Sequence, residues 1–447
     1  MIADWFSARL ADWGDEPALA SGEQVTSYAE LLQATEAWRE RFVERQVRPG
    51  VVVAIDGSFS LQACGAFLAA MQLGAVVVPL TALMRAHREK FLAIAEVSLL
   101  VELDGADGWS VSALDQHAQN PLIGRLAERG HPGLVIFSSG STGAPKAILH
   151  DLLAILEKFR KVRHKKTTLT FLLFDHIGGI DTMLNAFGSG GTVVTVAQRT
   201  PELVAKAIET HRVHTLPTSP TFLNLFLISG VWEQHDLSSL KVIAYGTEPM
   251  PQSTLERLHE IFPDVALVQT YGMSELGVLR SRSRDSTSLW IKFTGDEFQT
   301  KVKEGILWVK AETAMLGYLN APDLFDAEGW LNTQDAVEVD GEYLRILGRA
   351  SDLINVGGQK VYPAEVENLL LQLDNVAEVA VFGKPHPMMG QIVAARFNLS
   401  QPEPLDLFKR RMNAFCRERL AKYQIPVFVE LADANQFGAR FKKLRHD

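Results

Sequence analysis

Residues 137–147 read FSSGSTGAPKA, an apolar run that passes into a turn of small, flexible and hydroxyl-bearing residues. Gly140 and Gly143 allow the backbone to turn tightly, and Ser139, Ser141 and Thr142 supply hydroxyl donors. Backbone N–H groups exposed in such a loop form a concavity suited to anions, and Lys146 adds positive charge beside it. The residues suit a polyphosphate. They do not meet the Walker pattern, because Pro145 stands where its second glycine would be. The stretch therefore predicts a strand, a phosphate loop of another kind, and a helix from about residue 147. On its own it is also compatible with a plain turn.

Outward from this loop, short β-branched runs alternate with longer helical patterns. VVVAID, AVVVPL, SLLVEL, TLTFLLF, GTVVTV, HTLPTS and KVIAYG read as strands, with helices expected near 60–73, 86–96 and 201–211. That alternation predicts an α/β fold whose stacked sheets are mostly parallel, with flanking helices. From about residue 305 the strands crowd together (GILWVKAE, AVEVDG, EYLRILGR), which predicts an antiparallel β patch. After GRASDLINVGG comes a smaller α+β pattern, with helices near 363–373 and 404–420 and the strands EVAVFG and IVAARFNL. The change of pattern near Arg349–Asp352 divides the chain into a large N-terminal domain, 1–350, and a small C-terminal domain, 351–447.

At 447 residues, 47% of them hydrophobic and 22% charged, the chain has the composition of a globular protein of two or three domains. Lys plus Arg is 44 against 53 for Asp plus Glu, a net charge of −9, which argues against nucleic-acid binding as the main role. Cys64 and Cys416 lie far apart without metal-ligand spacing, so a disulfide framework is not expected and a reducing cytoplasm fits. The start, MIADWFSARLADWG, reads as an amphipathic helix and not a signal peptide. No charged residue lies between Asp56 and Arg85, but Gln62, Gln72, Gly74 and Pro79 interrupt the run. A helix followed by a buried strand is expected there, not a membrane span. The basic runs KFRKVRHKK (158–166) and RSRSR (280–284) read either as solvated faces or as a docking patch for a phosphate-bearing ligand or an acidic protein.

SSGSTGAPK resembles the signature of the adenylate-forming superfamily, which includes acyl-CoA synthetases, peptide-synthetase adenylation domains and luciferases. Further segments resemble that family in the same order: VRPGVVVAI, YGMSE (271–275), EGILWVKAETAMLGYLN, the long block from GWLNTQDAVEVDG to KVYPAEVE, VAEVAVFGKPHPMMGQIVA and LAKYQIP. The likeness covers nearly the whole chain. It implies that ATP activates a small-molecule carboxylic acid as an acyl-adenylate, with release of pyrophosphate. A thiol, that of coenzyme A or of a carrier-protein phosphopantetheine, would then displace AMP.

By that resemblance the loop from Ser139 to Lys146 would hold the β- and γ-phosphates, and Glu275 would bind Mg²⁺, an ion that favours hard oxygen ligands. Ser274 stands at the family's usual threonine and keeps its hydroxyl. Tyr271 would stack on adenine, flanked by the backbone of Gly246 and Thr247, while Asp335 and Arg349 would hold the ribose. Gln334 replaces the glycine that usually precedes this acid, which puts the local loop shape in question. In FDHIGG (174–179), His176 would line the acyl pocket and Gly179 would leave room for the substrate; a structural histidine is the alternative. Asp175 leaves amino-acid activation open, although its place before His176 favours a structural role. Ser351 would sit at the hinge of a mobile C-terminal domain, and Gly357 and Gly358 would approach the pantetheine channel.

The ending, NQFGARFKKLRHD, resembles the family's final catalytic loop, with Gly438 at its glycine and Ala439 at the position of its lysine. Three readings stand: a substitution introduced to block the first step, a natural loss, or a shift of register that lets Lys442 or Lys443 serve. The retention of the other motifs favours the first. The leading expectation is an acyl- or aryl-CoA synthetase. A stand-alone adenylation protein that loads an acyl carrier protein is the alternative enzyme, and a non-catalytic nucleotide-binding pseudoenzyme is the reading that Ala439 keeps open.

Overall fold

The computed structural model describes residues 4–105, 108–139, 145–432, 437, 438 and 441. Two seven-stranded sheets form the bulk of the N-terminal part. One runs Ala266–Gln269, Val242–Tyr245, Thr215–Thr218, Thr167–Leu169, Thr192–Thr195, Pro17–Ser21, Gln24–Ser27, all parallel except the closing hairpin. The other runs Gly317–Tyr318, Pro145–Asp151, Gly133–Ser139, Val76–Leu80, Val52–Asp56, Leu99–Asp104, Gly108–Ala113 and is parallel at its centre. Every residue of Val52–Asp56 and Val76–Leu80 is buried, as expected of strands covered on both faces. The uncharged stretch resolves as predicted into a helix, Leu61–Gln72, and a strand, Val76–Leu80. Ser60 caps that helix by accepting from the Ala63 N–H. Its buried side chains, Phe67 and Met71 among them, share one core with Trp38 and Phe187.

The expected antiparallel patch is a six-stranded sheet that includes Ile306–Ala311, Leu331–Asp340 and Tyr343–Arg349. The C-terminal part has its own sheet, in which Gly390–Leu399 pairs with both Val376–His386 and Phe428–Leu431. Helices Pro363–Leu370 and Leu405–Cys416 pack on it, burying Val366, Leu370, Phe408 and Met412 around Phe397. Among the described residues, the hydrogen bonds that join this part to the rest include the Asn224 amide to the Ala377 carbonyl (3.0 Å) and the Gln252 N–H to Asn368 Oδ1 (2.8 Å). Cys64 and Cys416 are both free and buried, and burial pushes the Cys64 thiol up to about 12. No helix among the described residues is long and apolar enough to cross a membrane.

The helix expected from about residue 147 is not there. Residues Pro145–Asp151 form a strand antiparallel to Gly133–Ser139, and the helix begins only at Leu152, capped by Asp151. The physical reason is burial on both sides. Ala147 and Leu149 enter one core cluster and Ile148 another, so the run carries no alternation to distinguish it from a buried helix. The glycine-rich loop therefore joins two antiparallel strands, and no helix N-terminus follows it directly. The helix expected near 86–96 is present as the short helix Arg88–Ile94, entered through a 3₁₀ turn, Ala82–His87.

Much of the basic character of 158–166 is used internally. Lys158 is buried against Asp181 and donates to the Val278 carbonyl (2.9 Å), Arg160 pairs with Glu157, and Lys165 pairs with Glu16. Arg284, in the second basic run, pairs with Asp340.

Candidate active site

A cleft of about 700 Å³ opens where the phosphate-loop strand, the 271–275 segment and the six-stranded sheet meet, a volume suited to a small-molecule site. Among the residues that line it are Lys146, His176, Thr247, Tyr271, Ser274, Glu275, Arg349 and Ser351. These residues come from positions as far apart as 146 and 351, and the fold brings them to one place.

Along the strand Pro145–Asp151, side chains alternate between faces, so Lys146, Ile148 and His150 share one face. That face packs against the segment around Gly317–Tyr318, which pairs with the same strand. Lys146 Nζ lies 5.1 Å from the centre of the Tyr318 ring. Ile148 is buried with Met315 and Tyr318. The Tyr318 hydroxyl donates to Glu275 Oε1 (2.8 Å); burial first, and the nearby Glu275 charge second, push that phenol well above its ordinary pKa. It remains a donor throughout the physiological range. The Met315 N–H donates to the Glu275 carbonyl (2.7 Å), fixing the backbone as well.

At the base of the same face, His150 is completely buried. Its Nε2 lies 2.7 Å from the Ser274 carbonyl and its Nδ1 lies 3.3 Å from the Thr313 carbonyl. Burial holds the imidazole below its ordinary pKa. A neutral ring donates from one nitrogen, and the shorter distance assigns that proton to Nε2.

Tyr271, Asp335 and Arg349 form a second group. The Tyr271 hydroxyl donates to Asp335 Oδ2 (2.6 Å), and Arg349 Nε lies 2.9 Å from Asp335 Oδ1. Burial raises the Asp335 carboxyl above its ordinary value, against the opposing pull of Arg349 and the Tyr271 bond. Tyr271 thus has a task that sequence reading did not assign: it holds the acid expected at the ribose. Its ring meets Phe293 edge-to-face at 5.5 Å. Asp335 itself and Gly246 are not among the residues that line the cleft. A Cβ at Gly246 would come within 2.6 Å of Thr270 Oγ1, so the close approach of these two chains requires glycine.

Gln334, at the position of the family's usual glycine, adopts a backbone conformation that favours glycine. Its φ is +61°, in the left-handed region, and its N–H donates to Asn332 Oδ1 (2.9 Å). Thr247, a β-branched residue, sits at φ +74°, a strained geometry at the cleft wall.

His176 lines the cleft and also caps the helix Ile177–Gly188, its Nδ1 accepting from the Gly178 N–H (3.0 Å). The two expectations for this residue are therefore compatible. Gly178, not Gly179, lines the cleft. A Cβ on Gly179 would overlap the Leu173 carbonyl oxygen, so backbone packing is what requires glycine there. Asp175 is buried and accepts from the Thr81 hydroxyl (3.0 Å) outside the cleft lining, as a structural acid would.

Gly357 and Gly358 form the tip of the hairpin between Ile354–Val356 and Gln359–Val361 and do not line the cleft. Both have positive φ, +57° and +90°, and a Cβ on Gly357 would meet Met389 Cε at 2.7 Å. The Ser139 side chain and residues Gly140, Ser141, Thr142, Gly143 and Ala439 lie outside the described residues, as do Lys442 and Lys443. The described part of the tail does reach back: the Phe441 ring lies 5.3 Å from Phe171 and 5.6 Å from Phe222, with the Arg199 guanidinium 5.2 Å from its centre. Sequence reading missed Tyr318 and His150. Tyr318 lies within a matched motif and could have been found there, whereas nothing in the local sequence marks His150.

The AMP-binding enzyme family matches residues 6–319, and the AMP-binding enzyme C-terminal domain matches residues 365–436. A (7a-methyl-1,5-dioxo-octahydroindenyl)propanoyl:CoA ligase of Rhodococcus jostii is 31% identical over 317 residues, a match that spans 67% of this chain and 61% of that relative's length. The 2-succinylbenzoate–CoA ligase of Bacillus licheniformis is 28% identical, with 99% of this chain and 98% of that protein covered. In three dimensions the chain is similar to the anthranilate CoA ligase AuaEII in complex with anthranoyl-AMP, with a TM-score of 0.84 at 20% identity, covering 98% of this chain and 95% of the other. The chain belongs to the AMP-binding enzymes, the adenylate-forming superfamily that its motifs resemble.

Proposed function

We propose that this protein activates a carboxylic acid with ATP and passes the acyl group to the thiol of coenzyme A. The observation that carries this reading is the convergence of Lys146, Tyr271, Ser274, Glu275 and the Asp335–Arg349 pair on one cleft. In the first step a carboxylate oxygen attacks the α-phosphorus of ATP, the bond to pyrophosphate breaks, and an acyl-adenylate forms. In the second a thiolate attacks the acyl carbon and AMP leaves. The first step brings an anion to a polyanion, so positive charge and oriented donors must lower its barrier. Lys146 would supply charge on the phosphate side, Ser274 would offer its hydroxyl to the reacting phosphate, and Asp335 with Arg349 would fix the ribose. Leu172, Ile177, Gly178 and Val278 give the cleft an apolar wall beside His176, which suits the body of an organic acid.

Among the described residues no cluster of three or more His, Cys, Asp or Glu could hold a metal by itself. Mg²⁺ commonly binds through one or two carboxylates together with substrate phosphates, and Glu275 beside a nucleotide fits that pattern. Glu275 would hold the ion, which would neutralise phosphate charge during the displacement. Ser351, in the short 3₁₀ turn Ala350–Asp352, is the proposed hinge between a domain over 1–350 and one over 351–447. Rotation about it would bring the Gly357–Gly358 hairpin to the cleft for the thiol step.

Ala439 favours a second reading, a protein that binds nucleotide or acyl-adenylate but adenylates slowly. Ala439→Lys decides between them. Restoring one preorganised charge is expected to raise pyrophosphate release on the order of 10²–10³-fold across a panel of acids. With coenzyme A, the product should be an acyl-CoA. Loading of a pantetheinylated carrier protein in its place would favour the stand-alone adenylation protein. If the variant binds ATP yet releases no pyrophosphate with any acid, the ligase reading fails.

A further inference from the structure

We propose that His150 is a positioning residue that sets the Ser274–Glu275 backbone relative to Lys146, and so tunes metal-assisted nucleotide binding; this rests on the reading of Glu275 given above. Lys146 and His150 lie on the same face of one short strand. The lysine end faces the cleft, and the histidine end is completely buried. From that end Nε2 reaches the Ser274 carbonyl at 2.7 Å, one residue before the carboxylate that the mechanism needs. The other ring edge faces the Thr313 carbonyl, two residues before Met315, whose N–H binds the Glu275 carbonyl. With its proton on Nε2, the imidazole hydrogen-bonds the Ser274 segment and packs against the Thr313 segment without a hydrogen bond. The strand that carries the phosphate-side lysine and the loop that carries the metal-side acid are joined through it.

The link is polar and directional, and it joins a fully buried imidazole to a partly buried residue. Losing the donor costs the Ser274 carbonyl this bond unless the 274–275 backbone shifts to recover a partner. Outer-shell hydrogen bonds that orient metal-binding groups typically change metal affinity by about 10–100-fold when removed. Neither Ser274 nor Glu275 is altered by changing His150, and this separates a positioning role from direct contact with substrate.

The test is calorimetric titration of ATP, with and without Mg²⁺, into the unmodified protein, His150→Leu and His150→Gln, each checked for native thermal unfolding. Leucine removes the donor, whereas the glutamine amide can still reach the Ser274 carbonyl. The expected result is that His150→Leu lowers the Mg²⁺-dependent gain in ATP affinity by about tenfold. Its metal-free ATP affinity should stay within about twofold, and His150→Gln should keep most of the gain. If His150→Leu does not fold, His150→Asn takes its place, because the shorter amide falls short of the same carbonyl. A folded Leu or Asn variant with an undiminished Mg²⁺ gain refutes the inference alone. An equal loss with and without Mg²⁺ also refutes it, since that marks general damage to the cleft. Absence of any Mg²⁺-assisted ATP binding in the unmodified protein refutes the proposed function and this inference with it.

Discussion

Tyr271→Phe tests the buried Tyr271–Asp335 pair, which Arg349 joins from the exposed side, most directly, because it removes one oxygen and leaves the ring in place. The lost bond is a short O–H···O⁻ contact of 2.6 Å to a carboxyl that is 8% exposed. Hydrogen bonds to charged groups contribute about 1.5–3 kcal/mol, and the buried position places this one near the middle, about 2 kcal/mol. For a domain of this size that corresponds to a fall in melting temperature of about 2–5 °C. The pH dependence has a definite sign. Burial already raises Asp335 above its ordinary value, so the folded protein holds this proton more tightly than the unfolded chain does. Stability therefore falls as pH rises through the interval between the two values. Removing the Tyr271 donor, which favours the ionised form, raises the folded value further and widens that interval.

The difference in melting temperature between the variant and its parent should thus be largest near neutral pH and shrink on acidification, as the carboxyl takes up its proton in both. Scanning calorimetry of the pair at several pH values, from neutral down to the ordinary aspartate value of about 4, measures this. Equal melting temperatures at neutral pH, or a difference that grows on acidification, would refute the assignment of the Tyr271–Asp335 bond as a charge-assisted contact.

Further substitutions test other parts of the site. Gly179→Ala should destabilise by about 1–3 kcal/mol or more, because its methyl meets the rigid Leu173 carbonyl. Gly178→Ala should unfold closer to the parent, since its methyl meets the mobile end of Leu172, and should instead raise KM for the acid; the reverse ranking in thermal unfolding would contradict the packing described. Gln334→Gly should stabilise by about 0.5–1 kcal/mol in urea unfolding, as relief of the left-handed strain exceeds the added chain entropy. A loss of stability would mean that the Gln334 side chain, and not only its backbone, supports the loop.

The α/β alternation, the antiparallel patch and the later α+β pattern were all legible in hydrophobic periodicity, because each strand or helix buries its own characteristic set of side chains. The acids and the lysine of the site were legible from motif residues whose order along the chain matches a family, and the cleft gathers Lys146, Tyr271, Ser274, Glu275 and Arg349. Residue identities could not reveal what depends on which faces meet. The stretch from about residue 147 reads as a helix because both faces are buried, and only strand pairing with 133–139 decides otherwise. Gly178 and Gly179 are equivalent in sequence, yet one meets the cleft and the other a carbonyl oxygen. His150 and Tyr318 are individually unremarkable, and they acquire their hydrogen-bond partners only when segments 124 and 43 residues apart in sequence are packed together. Sequence by itself determined the chemistry this chain can carry, since that resides in the residue types. Tertiary structure decided which groups orient that chemistry, since hydrogen-bond geometry and burial are properties of the packed faces and not of any one segment.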